Sequence, residues 1–269
     1  MKKKIALVLA TALTMGITLT ACGGAAKDTT ATGEDTADKV YAVEAGSAGE
    51  AAAQENGFQF NSVASQADAL MEVASGTSDA AIIDLLMAGA MIGGGTSYPD
   101  MVYTEELTTE EYGVGCRKGS DLASYINSVF AETYANGTME EIAAEHNIVK
   151  SALIEQSSVE YVASEESDVE YIKSKGTLVV GITDFKPMDY KNEAGEWTGF
   201  DAEMARIVAE KLGVEVQFVE IDWDNKIMEL NSNNIDVVWN GMTLTNEVKE
   251  AMECTNAYCN NAQVVVVKQ

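Results

Sequence analysis

The sequence contains few of the residues on which several common classes of function depend. Its 269 residues include one histidine, four cysteines and two prolines, and 17 Lys and Arg residues stand against 43 Asp and Glu. A single histidine, without a CxxC or HxxxH spacing, gives no support to a zinc site. The net charge of −26 opposes binding to nucleic acid or to anionic lipid headgroups. We therefore expect no metal, no cofactor and no nucleic-acid partner.

The cysteines do not form a disulfide framework. After Cys22, three remain, Cys116, Cys254 and Cys259, and an odd number cannot all be paired within one chain. Cys254 and Cys259 could pair across a turn, or they could be two buried thiols. The sequence leaves both possibilities open.

The N-terminal apolar run is too short to be a comfortable membrane span. Lys2, Lys3 and Lys4 precede apolar sequence from Ile5 to about residue 18, whereas a span needs roughly 20 apolar residues. This pattern is typical of an export signal. It ends in LTAC at 19–22, which resembles the bacterial lipoprotein signal, whose cysteine becomes the lipidated N-terminus. We expect a signal peptide at 1–22 with lipidation at Cys22; an ordinary signal peptide with a chance cysteine is the alternative.

The remaining sequence divides by composition. Residues 23–38 hold almost nothing to bury, which predicts a flexible tether. Short apolar strands then alternate with helices, as in Val40–Glu44 followed by a Gly/Ser turn, where Ser47 and Glu50 have the spacing of a capping box. This alternation predicts parallel α/β sheets. It restarts after a Ser- and Glu-rich segment at 157–170, and about 230 residues suit two modest lobes better than one core.

Two sets of motifs carry a family resemblance. The first set lies at Gly176–Gly181, Asp184–Tyr190, Trp197–Asp201, Asp222–Asp224, Asn240–Thr245 and Ala262–Val267. In this order and spacing, it resembles the first lobe of the amino-acid-type solute-binding proteins of ABC importers. The second set, at Val43–Ser47, Gly76–Ala80, Tyr112–Gly119 and Asn136–Thr138, resembles the second lobe and closing helices of the same family.

The resemblance implies a fold and a function. The expected fold is α/β, of the two-lobed type II periplasmic-binding-protein kind, with each lobe a sheet flanked by helices and the lobes joined at a hinge. The expected function is extracytoplasmic capture of an amino acid or related small amine or carboxylate in the interlobe cleft. The implied partners are the membrane subunits of an ABC importer. The protein would be a monomer, lipid-anchored to the bacterial cell membrane, and not an enzyme.

The order of the two halves is exchanged relative to the family. The segment that resembles the first lobe comes second here, which suggests a circular permutation with the acidic linker joining the usual ends. We predict lobe two at 39–112, the hinge strand and closing helices of lobe one at 113–156, the linker at 157–170, and lobe one at 171–269. This reading leaves one covalent hinge, near Tyr112–Arg117. A rearranged gene whose product never closes is the alternative.

The resemblance also places the ligand-binding residues of lobe one. Phe185 and Trp223 lie where the family has aromatic pocket walls, and such faces cover aliphatic or cationic groups. Asn240, Gly241 and Thr243 match the loop that offers backbone and hydroxyl groups to a ligand carboxylate. The alternative for the two aromatic residues is a purely structural place in the core.

Lobe two supplies the remaining predicted contacts. Asp84, at the end of an apolar strand, matches the carboxylate that pairs with an α-amino group; capping the next helix is its alternative role. Ser47 and Ala48 match a turn whose N–H groups meet the carboxylate, and Glu44 suggests a cationic group on the ligand. The family's usual arginine is replaced by Val248, so the ligand need not be a standard α-amino acid.

The sequence leaves two other functional classes open, an enzyme and a partner of a membrane sensor. A few proteins of this fold are dehydratases of small acids, which is the better enzyme hypothesis. The segment Ala45–Gly49 only faintly resembles the nucleophile elbow of serine hydrolases, because its first glycine is replaced by alanine. The third class is a ligand-binding partner of a membrane sensor, without a transporter.

Overall fold

The computed structural model describes residues 39–158 and 160–269. The predicted signal peptide, Cys22 and the tether at 23–38 lie outside the described residues. Along the first half, the elements are β1 (Val40–Glu44), α1 (Ala48–Glu55), β2 (Gln59–Val63), α2 (Gln66–Ser75), β3 (Ala80–Asp84), α3 (Leu85–Met91), β4 (Met101–Glu106), β5 (Glu110–Cys116), α4 (Leu122–Ala135) and α5 (Thr138–Glu145). Along the second half, they are α6 (Asp168–Lys175), β6 (Thr177–Ile182), β7 (Tyr190–Lys191), β8 (Trp197–Thr198), α7 (Phe200–Leu212), β9 (Glu215–Glu220), α8 (Lys226–Asn231), β10 (Val237–Thr243), α9 (Asn246–Ala251), β11 (Glu253–Cys254), β12 (Cys259–Asn261) and β13 (Gln263–Lys268).

One five-stranded sheet, here called the lobe-two sheet, has the order β2-β1-β3-β13-β4. Strands β1, β2 and β3 are parallel, and β13 runs antiparallel to β3 and β4. Every residue of β3 is buried, as its apolar run predicts for an interior strand. Helix α1 begins after Ser47, whose Oγ accepts a hydrogen bond from the N–H of Glu50 at 3.1 Å, which confirms the predicted cap.

The second sheet, here called the lobe-one sheet, has the order β11-β5-β10-β6-β9, and β12 also pairs with β5. Its apolar interior includes a cluster of aromatic residues. The ring of Phe130 lies 5.6 Å from that of Trp239 and 5.4 Å from that of Tyr258. Edge-to-face pairs of this kind contribute about 0.5–1.5 kcal/mol each beyond the area they bury. Both sheets carry flanking helices, so the predicted two-lobed α/β class is confirmed.

Two chain segments cross between the sheets. Residues 107–109 connect β4 to β5, and Ala262 connects β12 to β13. The prediction of one covalent hinge at Tyr112–Arg117 was therefore wrong, and β5 already begins at Glu110. The prediction that Val264–Val267 joins the sheet of Tyr112–Cys116 was wrong as well, because β13 pairs with β3 and β4. An apolar run shows that a strand is buried, but not which sheet receives it.

The start of β1 and the end of β13 lie at the same end of the strands in the lobe-two sheet. Tyr41 is in register with Ala80 of β3, and Val266 of antiparallel β13 is in register with Ala81. The start of β1 and the end of β13 are therefore separated only by β3. Two interstrand spacings amount to about 10 Å. A short linker could bridge that gap.

The predicted linker at 157–170 is held by Asp121. Its Oδ2 accepts from Tyr161 Oη at 2.8 Å and from Ser167 Oγ at 2.6 Å, and its Oδ1 accepts from the N–H of Val169 at 3.2 Å. Helix α6 begins at Asp168, so the last three residues of the predicted linker are helical. The carboxylate fixes the segment that joins the halves.

Three further observations concern the described residues. Cys116, Cys254 and Cys259 are free thiols. No helix within 39–158 or 160–269 is long and apolar enough to cross a membrane. The same ranges hold no group of three or more His, Cys, Asp or Glu side chains arranged to bind a metal ion.

Candidate functional site

A cavity of about 600 Å³ lies between the two sheets and is lined by residues of both. All nine predicted ligand-binding residues line it: Glu44, Ser47, Ala48, Asp84, Phe185, Trp223, Asn240, Gly241 and Thr243. The fold therefore brings residues as distant in sequence as 44 and 243 to one cleft. Val248, at the position of the family's arginine, lines the same cavity.

The two lobes touch at one side of this cleft. Lys226 Nζ donates to the carbonyl of Gly46 at 2.9 Å and to that of Trp223 at 3.1 Å, and it lies 4.9 Å from the Trp223 ring centroid. Gly46 has a φ of +68°, and a Cβ there would lie 2.7 Å from Asp224 Oδ1. Burial lowers the pKa of Lys226. The lysine therefore bridges the lobes rather than standing free in the cavity.

The aromatic wall is buried within the cleft. Phe185 is 3 % exposed and Trp223 is 7 % exposed. Phe185 packs edge-on against Tyr112, with 6.4 Å between ring centroids. A Cβ on Gly241 would lie 2.3 Å from Phe185 Cε1, so glycine is required for this approach. Phe185 and Trp223 also contribute to the core, so the structural alternative and the predicted cleft position are compatible.

The polar groups of the lobe-one loop are engaged inside the protein. Asn240 Nδ2 donates to Thr183 Oγ1 at 2.7 Å, and its Oδ1 accepts from the N–H of Thr183 at 2.8 Å. Thr243 Oγ1 donates to Glu110 Oε2 at 3.0 Å. The N–H of Gly241 donates to Asp201 Oδ2 at 2.6 Å. These groups were predicted to donate to a ligand carboxylate. In the structure each already donates a hydrogen bond to an oxygen of the protein.

A buried pair of carboxyl groups lies beneath this loop. Asp201 also accepts from Tyr258 Oη at 2.8 Å. Asp189 is fully buried, and neither carboxylate oxygen has a hydrogen-bond partner within the described parts of the chain. Burial, and then the charge of Asp201, raise the pKa of Asp189 well above its usual range. The surroundings of Asp189 therefore favour its neutral, protonated form.

The lobe-two turn is likewise closed by its own side chains. Glu50 Oε2 accepts from the N–H of Gly46 at 2.8 Å, and Glu50 Oε1 accepts from Ser62 Oγ at 2.7 Å. The carboxylate of Glu50 thus occupies the start of α1, where the helix dipole favours an anion. Ser47 Oγ accepts from the N–H of Glu50 at 3.1 Å, and its hydroxyl hydrogen is left to donate.

Asp84 sits at the centre of a network of neutral donors. Its oxygens accept from Tyr112 Oη at 2.6 Å, from Gln263 Nε2 at 3.1 Å, and from the side-chain amides of Gln66 and Asn261. Burial, and then the charge of Glu110, raise the pKa of Asp84 to about 7. The structure shows no side-chain cap by Asp84 on α3, which removes the alternative role. Asp84 therefore links these four side chains by hydrogen bonds whether or not a ligand amine binds to it.

Among the described carboxyl groups that line the cleft, Glu44 is a buried one with spare acceptor capacity. It is 4 % exposed, lines the cleft, and its Oε1 has no hydrogen-bond partner in the described residues. Burial, and then the charge of Asp84, raise the pKa of Glu44 to about 8. An unpaired buried carboxylate is costly. A cation in the cleft would relieve that cost.

Sequence reasoning missed several residues of this site. Lys226 was not predicted, although it follows Trp223 by three residues and a helical turn places both on one face. Gln66, Asn261 and Gln263 were missed because an amide in a strand or helix gives no signal of its function until its partner is known.

One segment of the chain is similar to known proteins. Residues 178–269 match the family model of bacterial extracellular solute-binding proteins, family 3. The L-cystine-binding protein TcyJ of Escherichia coli K12 is 34 % identical over 98 residues, which are 36 % of this chain and 37 % of that protein. The arginine-binding extracellular protein ArtP of Bacillus subtilis is 34 % identical over 96 residues, 35 % of this chain and 37 % of that protein. The matched region thus spans little more than a third of these relatives.

A solved structure matches a segment of similar size. An ancestral cationic amino acid solute-binding protein is 42 % identical over 31 % of this chain and 37 % of its own, with a TM-score of 0.31.

Proposed function

We propose that this protein is the extracytoplasmic solute-binding component of an ABC importer and captures an amino acid or related small amine or carboxylate between its lobes. The observation that carries this proposal is the cleft of about 600 Å³ between the two sheets, into which both halves of the chain place the nine candidate residues. The volume of this cavity, and the meeting of aromatic and polar side chains in it, are typical of small-ligand sites. The match of 178–269 to the solute-binding family supports the same function.

The arrangement of the chain is part of this proposal. Residues 39–106 and β13 would form one lobe, and 110–261 the other. The two crossing segments would act as the hinge, so that a ligand contacting both lobes stabilises the closed state. The halves would be a circular permutation of the family order. We also propose that the protein is a monomer held at the membrane through a lipid on Cys22.

A thermal-shift screen against amino acids, amines and short peptides tests the proposed function. A ligand that binds only the folded state stabilises it by RT ln(1 + [L]/Kd), which is about 2.7 kcal/mol at 100 times Kd. We expect at least one small solute to raise the melting temperature, with saturable one-to-one binding by calorimetry. If no member of the panel does so, the proposal is wrong.

A small-acid dehydratase is the second candidate. The buried Glu44 carboxyl, with a pKa raised to about 8, has the character of a general acid at neutral pH. Incubation of each binding solute with the protein, followed by product analysis, separates the two functions. Saturable binding without product supports transport, whereas multiple turnovers that Glu44→Gln abolishes would establish the enzyme.

A further inference from the structure

Several of the groups that would donate to a ligand carboxylate already have acceptors within the protein. In lobe one, Thr243 Oγ1 donates to Glu110 and Asn240 Nδ2 donates to Thr183. The N–H of Gly241 donates to Asp201. In lobe two, the N–H of Gly46 donates to the carboxylate of Glu50. A ligand carboxylate would have to displace these acceptors.

The cleft also lacks a free cation among its described lining residues. Val248 stands where a guanidinium would fork onto the carboxylate, and it is packed in an apolar cluster with Trp223. Lys226 is the one basic residue in the lining, and two backbone carbonyls accept its hydrogen bonds. The backbone N–H of Ala48 and the hydroxyl hydrogen of Ser47 are neutral donors, and such donors bind a carboxylate less strongly than a bidentate guanidinium does.

The remaining chemistry of the cleft favours positive charge. Its acidic lining residues are Glu44, Glu50, Glu55, Asp84, Asp224 and Glu247. Among them, Glu44 Oε1 is buried and without a partner in the described residues, so a cationic donor would complete its hydrogen bonding. The faces of Phe185 and Trp223 are suited to cover an aliphatic chain or a cation.

We propose that the ligand of this cleft is a small organic cation that carries amine or guanidinium groups and no carboxylate. This inference rests on the proposed function, because it names the substrate class of the same cleft. The cation would contact Glu44 and lie against the aromatic wall. A carboxylate on the same ligand would find no guanidinium among the described lining residues and would share the cleft with the carboxylates of Glu247 and Asp224. An unpaired carboxylate in a closed cleft costs affinity, as does repulsion between like charges.

Matched pairs of ligands test this directly. Calorimetry at pH 8 compares arginine with agmatine, lysine with cadaverine and ornithine with putrescine, each pair differing only by the carboxylate. We expect the decarboxylated member of at least one pair to bind ten times or more tightly than its amino acid. Tighter or equal binding of the amino acid in every pair overturns the inference but leaves the proposed solute-binding function standing. If no pair member and no other solute binds, both proposals fall.

Val248→Arg supplies an independent test. The new guanidinium should improve binding of the amino acid relative to its amine by tenfold or more, since it restores a partner for the carboxylate. The melting temperature of the variant shows whether it folds, and the wild-type comparison does not depend on it. A folded variant whose ratio is unchanged counts against the inference. Glu210→Gln, on the exposed face of α7 outside the cavity lining, is the matched control and should keep the wild-type ratio.

Discussion

The removal of one charge from the cleft, by Glu44→Gln, should weaken binding of an amine in a pH-dependent manner. A hydrogen bond between an amine and a carboxylate in a closed cleft contributes about 2–3 kcal/mol. Because the pKa of Glu44 is about 8 in the empty cleft, a cation must first drive off its proton at lower pH. That step costs about 1.4 kcal/mol per pH unit below the pKa. The carboxylate therefore contributes most at pH 8 and above.

The expected losses of affinity follow from the strength of this hydrogen bond and from the cost of removing the proton of Glu44. At pH 9 the variant should bind an amine roughly 30- to 150-fold more weakly, as about 2–3 kcal/mol implies. At pH 7 the net loss falls to about 0.6–1.6 kcal/mol, or roughly 3- to 15-fold. In the wild type, affinity should rise with pH and level off above pH 8, where most Glu44 is ionised before the ligand arrives. Asp84, with a pKa of about 7, adds to the rise at lower pH, and the nearby Lys226 stays engaged with carbonyls.

Calorimetry at pH 6, 7, 8 and 9 measures these affinities, and buffers of different ionisation enthalpy report the released proton. Glu210→Gln, which removes an exposed carboxylate, should follow the wild type throughout. A wild-type affinity that does not change between pH 6 and 8, or a Glu44→Gln variant that binds as tightly as the wild type at pH 9, would refute the reasoning.

Four other predictions concern Asp189, Asp84, the order of the two halves and the lipid anchor. Asp189 contributes stability that is fully present below its unfolded pKa near 4 and is lost as pH rises toward its raised folded pKa. Asp189→Asn should therefore raise the melting temperature, relative to the wild type, more at pH 8 than at pH 5; an equal shift at both pH values would contradict the buried neutral acid. Asp84→Asn should weaken amine binding. It should also lower the free energy of unfolding by about 2–4 kcal/mol in denaturant titrations, because an amide cannot accept from all four donors; weaker binding at unchanged stability would show that Asp84 serves only the ligand. The family order is restored by joining Gln269 to Lys39 through about eight residues, long enough for the roughly 10 Å gap, and by opening the chain after Ser158. The reordered chain should bind the same ligand with the wild-type affinity in calorimetry, and loss of folding would contradict the permutation. Cys22→Ser should move the protein from the membrane fraction to the soluble fraction if two or three acyl chains hold it there, and unchanged fractionation would exclude the lipid anchor.

The local features of the fold were predictable because they depend on neighbouring residues. The strand at Val40–Glu44, the cap at Ser47 and the apolar strand ending at Asp84 each follow from short-range spacing and burial. The two-lobed class followed from the restart of the β-α alternation after the acidic segment. The cleft lining was predictable only through the resemblance, which relates residues far apart in the chain.

The errors concern long-range pairing. The run VVVV of β13 reads as a buried strand, yet its pairing with β3 and β4 is decided by the crossing at Ala262, for which the sequence has no signal. The engagement of Gly241 and Thr243 with internal acceptors was equally hidden, because their partners Asp201 and Glu110 lie 40 and 133 residues away. A residue type shows which bonds it can make, and only the fold shows which bonds are already made.

The most direct test of the central claim is a crystal structure of the protein with the tightest-binding amine from the screen. The account predicts one ligand between the lobes, with a nitrogen within hydrogen-bond distance of Glu44 Oε1 and its carbon chain against Phe185 and Trp223. Density for the ligand on an outer face of either lobe, or an empty cleft under saturating ligand, would contradict it.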